Sequence, residues 1–323
     1  MEPVRWGILS TARINHAVIV PARESEHAVV IAVASRDLAR AETYAREQGI
    51  ERPYGSYEAL LADEDVEAVY VSLPNALHVP WAIRALEAGK HVLCEKPLGR
   101  NPESVEDAFD TADREGRLLM EAFMYRHHPQ TQKLEALVGS GAVGELRQIR
   151  TAFTFTLDDP EDVRWRPELE GGSLLDLGCY CVSISRLLGG EPERVYGRQR
   201  LAPTGIDVGF TGTLEFADEV SAQFHCAFDL PAESYVEAIG TTGKARIVEP
   251  FRCNGAHVDL NGTRIHVEDV DRYLLQLENF SEAIRGEAEP LLGREDALGQ
   301  ARTIAALYRA AEQAAPVLMG AVP

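Results

Sequence analysis

Cysteine is scarce in this chain: five in 323 residues, at positions 94, 179, 181, 226 and 253, odd in number and set among apolar neighbours. That pattern argues against a disulfide framework and predicts reduced, buried thiols. The Cys179-x-Cys181 pair has no second ligand pair at zinc-like spacing, so no metal site is expected. Apolar runs long enough to span a bilayer are missing as well. Positive charge is short: 32 Lys and Arg stand against 51 Asp and Glu, a formal charge of −19. Such a chain repels phosphate backbones and anionic lipid surfaces, so neither nucleic acid nor a membrane is an expected partner. The amino terminus enters the apolar run Val4 to Leu9 directly, without the regions of a secretory leader, and a cytoplasmic location is expected.

What is present is an alternation of strand and helix over the first 121 residues. Short apolar runs at Val4 to Leu9, Ala28 to Ala34, Ala68 to Leu73, Val92 to Leu98 and Leu118 to Ala122 are separated by helical stretches, among them Ala12 to Arg23, Leu38 to Gly49, Val79 to Gly89 and Asn101 to Gly116. This is the pattern of a parallel sheet with crossover helices, whose ligands bind beyond the carboxyl ends of the strands. The first strand leads to the turn where a G-x-G-x-x-G dinucleotide fingerprint should sit, but only Gly7 is in place; Leu9 and Ala12 occupy the other two glycine positions. Free backbone N–H groups at a helix start suffice for phosphate, and the Ser10 and Thr11 hydroxyls add donors, so Gly7, Ser10, Thr11, Ala12, Arg13 and Ile14 are candidate cofactor residues. An ordinary capped turn is the alternative.

The second strand ends in Ser35-Arg36-Asp37, with Arg40 one helical turn on. A carboxylate at that strand end suits the ribose of NAD, whereas small polar and basic groups suit the extra phosphate of NADP. Ser35, Arg36 and Arg40 therefore favour NADP over NAD, unless Arg36 is a solvated loop charge and Asp37 only caps the next helix. Ser72, Leu73, Pro74, Asn75 and His78 follow the Ala68 to Leu73 strand and, with Tyr54 before it, are candidate neighbours of the cofactor; His78 could equally be a helix-entry residue. Glu95-Lys96-Pro97 ends the next apolar run at the mouth of the expected crevice, or else forms a surface ion pair before a turn.

After Arg126 the pattern changes. One helix, Thr131 to Val138, precedes a series of two-residue-period segments beginning with Ile149, Thr151, Phe153, Phe155 and Leu157 on one face and continuing to Ile265 to Val267. The fold expected is an α/β Rossmann domain (1–121) plus an α+β domain (122–323) with a large, mainly antiparallel open sheet. Such a sheet leaves a face or edge to cover, so a homodimer or higher homo-oligomer through it is expected. The last helices, Tyr273 to Gly286 and Glu295 to Ala315, read as structural. His127 and His128 read as packing or substrate-rim groups. Asp176 and Tyr180 follow a Gly171-Gly172 turn and are four residues apart, on one face if the segment is helical. Local pairing of Asp176 and simple packing of Tyr180 are the alternative.

The run Ala88-Gly89-Lys90-His91-Val92-Leu93-Cys94-Glu95-Lys96-Pro97, with Gly171-Gly172-Ser173-Leu174-Leu175-Asp176-Leu177-Gly178-Cys179-Tyr180, resembles the Gfo/Idh/MocA family of NAD(P)-dependent oxidoreductases over essentially the whole chain. Glu121-Ala122-Phe123-Met124-Tyr125-Arg126 and Ser10-Thr11-Ala12-Arg13 resemble its branch of NADP-dependent D-xylose dehydrogenases and dimeric dihydrodiol dehydrogenases. The resemblance implies that Glu95, Lys96 and Pro97 lie beside the nicotinamide, often with a cis Lys-Pro bond. It also implies that Lys96, Asp176 and Tyr180 are catalytic, that Arg166 touches the dinucleotide phosphate unless it pairs with Glu168 or Glu170, and that the protein is at least a dimer. Tyr180 stands where many members have His, as in the xylose and dihydrodiol branch. A phenol with a pKa of about 10 is a poor base at neutral pH, and a nearby ammonium lowers it, which gives Lys96 a task. The activity implied is hydride transfer between NADP and a carbinol carbon of a small sugar or polyol, foremost the C1 oxidation of D-xylose. Oxidation of a trans-dihydrodiol, reduction of a keto-sugar, a nicotinamide held and recycled in one site, and a non-catalytic NADP sensor are the alternatives.

Overall fold

The computed structural model describes residues 2–320; residue 1 and residues 321–323, the outer ends of the two expected domains, lie outside the described residues. The chain folds as two compact units: one runs through Met124 and takes in Val270–Leu298, the other is Tyr125–Asp269 with the residues from Gly299.

The first unit is built from β1 (Val4–Leu9), α1 (His16–Ala22), β2 (Ala28–Ala34), α2 (Leu38–Gln48), β3 (Arg52–Tyr54), α3 (Tyr57–Leu61), β4 (Ala68–Val71), α4 (His78–Glu87), β5 (His91–Cys94), α5 (Pro102–Glu115) and β6 (Leu119–Glu121). Its six strands lie in the order β3-β2-β1-β4-β5-β6, all parallel, the doubly wound arrangement with its reversal between β1 and β4. Burial of both faces explains the near-continuous apolar runs of the central strands. Asp37 and Asn101 cap α2 and α5, and left-handed Gly49 and Gly116 end them. The three-residue β3 escapes sequence patterning because it is short and contains Pro53, tolerated on an edge strand. The helix expected over 12–23 is a 3-10 turn, Arg13–Asn15, followed by the seven-residue α1.

The second unit comprises α6 (Pro129–Gly139), β7 (Leu146–Thr156), α7 (Cys179–Gly189), β8 (Arg194–Leu201), β9 (Asp207–Glu215), β10 (Ser221–Ala227), β11 (Asp229–Gly240), β12 (Lys244–Val248), β13 (His257–Leu260) and β14 (Thr263–His266). The chain then leaves it for α8 (Arg272–Ile284), returns within α9 (Arg294–Gln313), and ends the sheet with the two-residue β15 (Val317–Leu318). Nine strands lie in the order β14-β13-β12-β11-β7-β10-β9-β8-β15, every pairing antiparallel except β7 with β10. Ile149, Thr151 and Phe153 of β7 are buried on one face, while Arg150 on the other is exposed.

The return of α8 to the first unit departs from the single cut expected at residue 121. Its cause is specific contact: Trp6 of β1 packs against Phe280 and donates to the Ser281 hydroxyl at 3.2 Å, and Arg285 pairs with Glu67 at 2.8 Å. All five cysteines are buried and none forms a disulfide, and no helix among the described residues is long and apolar enough to cross a membrane.

Candidate active site

In the first unit the turn after β1 carries its conformational demand at an unexpected residue. Ser10 has φ 147°, a region that favours glycine and costs a side chain about 1–3 kcal/mol. The surroundings hold it there: Ser72 donates to Asn15 Oδ1 at 2.6 Å, the Ser10 and Ser72 hydroxyls lie 2.8 Å apart, Asn15 Nδ2 donates to the Ser10 carbonyl at 3.0 Å, and the Ala12 N–H donates to Ser10 Oγ at 3.1 Å. The Ser10 and Ser72 hydroxyls thus stitch the ends of β1 and β4 together inside the fold, where the sequence reading has Ser10 as an outward phosphate donor. Gly7 also differs from the fingerprint role, since a Cβ there would sit 2.7 Å from Leu60 of α3; it serves helix-on-strand packing. Arg13 and Ile14 are exposed and Thr11 and Ala12 half-buried.

At the end of β2, Ser35 is buried while Arg36 and Arg40 are exposed. Both guanidinium groups lie near enough to Tyr57 to favour its ionised form, although burial still raises that phenol. The Asp37 carboxylate accepts the Arg40 N–H at 3.2 Å, so it is engaged as a helix cap. A shallow cavity of about 490 Å³ is lined by Thr11, Ala39, Arg40, Thr43, Tyr44 and Glu47. Two exposed cationic side chains, a buried serine and a capped-off carboxylate fit a phosphate-bearing adenosine better than bare ribose hydroxyls. Tyr54 is turned elsewhere: its hydroxyl donates to Asp63 at 2.7 Å, beside the Arg52–Asp63 ion pair, and burial together with that carboxylate raises its pKa.

The loop after β5 is braced from within. The Lys96-Pro97 peptide is cis. Buried His78 reaches the Pro97 carbonyl at 2.8 Å and the Leu73 carbonyl at 2.7 Å, and Glu121 accepts the Leu98 N–H at 2.7 Å. Burial pushes the His78 pKa down to about 4 against the pull of the two carbonyls, so the ring is neutral, with one N–H serving one carbonyl at a time. It is a strut between the loops after β4 and β5, and neither nitrogen is left for a ligand. Glu95 accepts from the buried Tyr70 hydroxyl and from the Lys96 N–H. Pro74, Asn75, Glu95 and Lys96 are half-buried along this rim, with Leu73 and Pro97 beneath it. Tyr273, in the first turn of α8, also belongs here: burial and the nearby Glu95 charge push its phenol up to about 12 against the Arg272 and Lys96 charges. Sequence reading takes α8 as purely structural; a helix-spaced aromatic gives no sign of its distant neighbours.

In the second unit the Gly171-Gly172 turn admits no side chain at either position. A Cβ on Gly171 would lie 2.2 Å from the Arg164 carbonyl, and one on Gly172, at φ 129°, would lie 2.2 Å from Asp207 Oδ1. Asp207 is buried at the start of β9, where its carboxylate accepts from Ser173 Oγ (2.8 Å), the Leu174 N–H (2.6 Å) and the Tyr308 hydroxyl (2.9 Å). Burial raises its pKa while these donors pull it back. The helix opens with a π turn, Leu174–Gly178, before α7, so Asp176 and Tyr180 do not follow the simple α-helical spacing. Asp176 accepts from Arg164 Nε at 2.6 Å, the local pairing left open by the sequence. Tyr180 is buried with ring centroids of Tyr125, Phe153 and Phe251 at 5.8, 5.5 and 5.2 Å. Arg166 is exposed and pairs at 3.5 Å with Glu161, in place of Glu168 or Glu170. His127 and His128 are both buried, and His128 caps α6. No cluster of His, Cys, Asp or Glu among the described residues could hold a metal ion.

Arg164 and Asp207 are absent from the sequence reading. The two glycines are their only local trace, because the backbone and carboxylate that require them come from elsewhere in the chain.

Comparison with known proteins adds three findings. Residues 4–123 match the oxidoreductase family with an NAD-binding Rossmann fold, and residues 131–246 match the GFO/IDH/MocA C-terminal domain. The chain is 38% identical over 321 residues to the D-xylose 1-dehydrogenase (NADP(+)) 2 of Haloferax volcanii, covering 97% of this chain and 98% of that one, and 39% identical over 256 residues to the trans-1,2-dihydrobenzene-1,2-diol dehydrogenase of Macaca fascicularis, covering 77% and 76%. Among solved structures it is similar to a 3-ketoreductase from Actinomadura kijaniata in complex with NADP and TDP-benzene, at 31% identity and a TM-score of 0.90 over 95% of this chain and 98% of that one.

Proposed function

Because the chain belongs to the GFO/IDH/MocA family of NAD(P)-binding oxidoreductases, we propose that it is a cytoplasmic, NADP-dependent dehydrogenase of sugars or polyols. The reaction is hydride transfer at a carbinol carbon, and the specific reading is oxidation of an aldose of the D-xylose kind at C1 to the lactone. The observation that carries it is the full-length likeness to an NADP-dependent xylose dehydrogenase in a chain that holds Lys96, Asp176 and Tyr180.

The bound nicotinamide supplies the hydride acceptor; the rest falls to side chains. In the oxidative direction Tyr180 takes the hydroxyl proton, Lys96 stabilises the phenolate and the developing alkoxide, and Asp176 accepts a hydrogen bond from the substrate. The rings of Tyr125, Phe153 and Phe251 pack around Tyr180 and fix the orientation of its phenol. Ser35, Arg36 and Arg40 take the 2′-phosphate, the loop of residues 10–14 and Arg166 attend the pyrophosphate, and Pro74, Asn75, Glu95 and Pro97 edge the nicotinamide side. Self-association runs through the open nine-stranded sheet, to be checked by size-exclusion chromatography with light scattering.

Two neighbouring activities follow from the named relatives: oxidation of a trans-dihydrodiol and reduction of a keto-sugar. An absorbance assay of reduced nicotinamide, run with NADP and NAD over aldoses, cyclic trans-diols, inositols and keto-sugars, separates them. Lys96→Met and Tyr180→Phe should each lose about a hundredfold or more in turnover while still binding NADP. Near-normal rates in either variant would remove these residues from the mechanism.

A further inference from the structure

The carboxylate of Asp176 is the centre of a chain of charges that starts outside its helix. Arg164 reaches it at 2.6 Å through Nε, and the same guanidinium donates through Nη1 to both oxygens of Asp162 at 3.2 Å. Asp162 in turn accepts the Arg164 N–H at 2.9 Å, which fixes the turn from which the arginine projects. Two further contacts tie this loop down. The Trp165 indole donates to the Asp159 carbonyl at 2.9 Å and its ring lies edge-on to Phe228, and the Gly171 N–H donates to the Arg166 carbonyl at 3.0 Å, where only glycine lets the Arg164 backbone approach.

We propose that Arg164 is a positioning residue for the reaction: its guanidinium keeps Asp176 ionised and aimed, so that this carboxylate works only as an acceptor for a substrate hydroxyl. The inference rests on the dehydrogenase reading above and deepens it by assigning the proton traffic. The Asp176 side chain is 13% exposed, and a carboxylate that buried is costly unless paired. The charges of Asp176 and Asp162 hold Arg164 firmly protonated. An ionised carboxylate has no proton to give, so acid–base work falls to Tyr180 and Asp176 selects substrates that donate an O–H. The pairing also separates the two arginines of the Val163-Arg164-Trp165-Arg166 run: one turns to Asp176, the other to the exposed Glu161.

The elements packed around the π turn are β7, α7, β9 and β10. Besides Arg164 and Asp162 of the loop, they carry Asp207 of β9, Cys226 of β10, Tyr180 and Cys181 of α7, and Cys179 of α7, whose thiol donates to the Asp176 carbonyl at 3.5 Å. Their other charged groups point to other partners: Arg147 pairs with Glu145, Arg186 with Glu191, Glu215 with Arg194 and His225 with Glu233, and Arg150 is exposed. Arg164 is a cation in direct contact with the Asp176 carboxylate, at 2.6 Å. Removing it raises the affinity of Asp176 for a proton, and the acid limb of kcat/KM moves toward neutral pH.

The test compares wild type, Arg164→Gln, Arg164→Lys and Asp162→Asn in pH profiles of kcat/KM, with NADP titration and thermal melts on the same samples. For Arg164→Gln the expectation is an acid limb raised by about one unit or more and a KM raised about tenfold, with NADP affinity unchanged. Arg164→Lys should restore most of the limb, and Asp162→Asn should move it a smaller distance the same way, which keeps the test open if Arg164→Gln folds poorly. An unmoved limb in Arg164→Gln, or a lysine variant that tracks the glutamine variant, overturns the inference while the dehydrogenase reading stands. A wild type that binds NADP but oxidises or reduces nothing in the substrate panel overturns that reading, and this inference with it.

Discussion

Replacing Asp207 by alanine tests how the helix bearing Asp176 and Tyr180 is anchored. Three donors converge on the one carboxylate: the Ser173 hydroxyl, the Leu174 N–H and the Tyr308 hydroxyl, at 2.8, 2.6 and 2.9 Å. Ser173 and Leu174 are fully buried and Tyr308 nearly so. A buried donor left without an acceptor costs about 1–3 kcal/mol, and the two hydroxyls can partly re-aim, so about 3–5 kcal/mol is expected in all. At about 2 °C per kcal/mol for a chain of this size, the melting temperature should fall by about 6–10 °C. Asp207→Asn keeps an acceptor for Ser173 and Leu174 and turns its amide toward Tyr308, so it should stay within about 1 kcal/mol of wild type at low pH. The carboxyl has a raised pKa through burial, so the wild type has its full contribution from this group below the unfolded value and loses it as pH rises through the folded value. Asparagine has no such loss, and its relative stability should climb over that window and then level off. Calorimetry of the three proteins from pH 3 upward reads all of this. An alanine variant melting within 2 °C or so of wild type would refute the three-donor anchor, and an asparagine variant as weak as alanine would show that charge, rather than acceptor count, matters.

Arg36→Ala and Arg40→Ala should each raise KM for NADP by about tenfold or more and leave NAD use nearly unchanged; equal losses would move the 2′-phosphate elsewhere. Gly171→Ala, whose Cβ would collide with the Arg164 carbonyl, should displace the loop and lower kcat/KM by about tenfold or more, read alongside a thermal melt; wild-type kinetics would show that the loop is not needed. Burial holds His78 at about 4 and His127 at about 3, below an unfolded value of about 6.5, so both favour folding at neutral pH and that contribution drains away as pH falls from 6.5 toward 4. For His78 it amounts to about 3 kcal/mol, and the melting curve of His78→Gln against pH should be flatter than that of wild type; parallel curves would exclude the histidine as the source.

The strand runs, the helix caps at Asp37 and Asn101 and the change of period after Arg126 were legible because they are local: burial on both faces, side-chain capping and two-residue alternation are written into neighbouring residues. The motifs around Lys96 and Tyr180 were legible through family resemblance, since each is contiguous. Short edge strands such as β3 and β15 were not, being too brief for any period to register. The fingerprint turn misled in a particular way. The residue that bears the unusual backbone is Ser10, and its partners Asn15 and Ser72 come from an adjacent turn and from just beyond β4, 62 residues on.

By itself, then, the sequence determined the two kinds of sheet, the cofactor-binding half and the candidate residues for hydride transfer, all properties of short segments. Tertiary structure alone decided which partner each ionisable group received: Arg164 for Asp176, Asp207 for the glycine turn, two backbone carbonyls for His78, and α8 for the first sheet. A charge carries no mark of its partner along the chain. Only folding sets distance and burial, and these two quantities settle whether a carboxylate caps, pairs or binds.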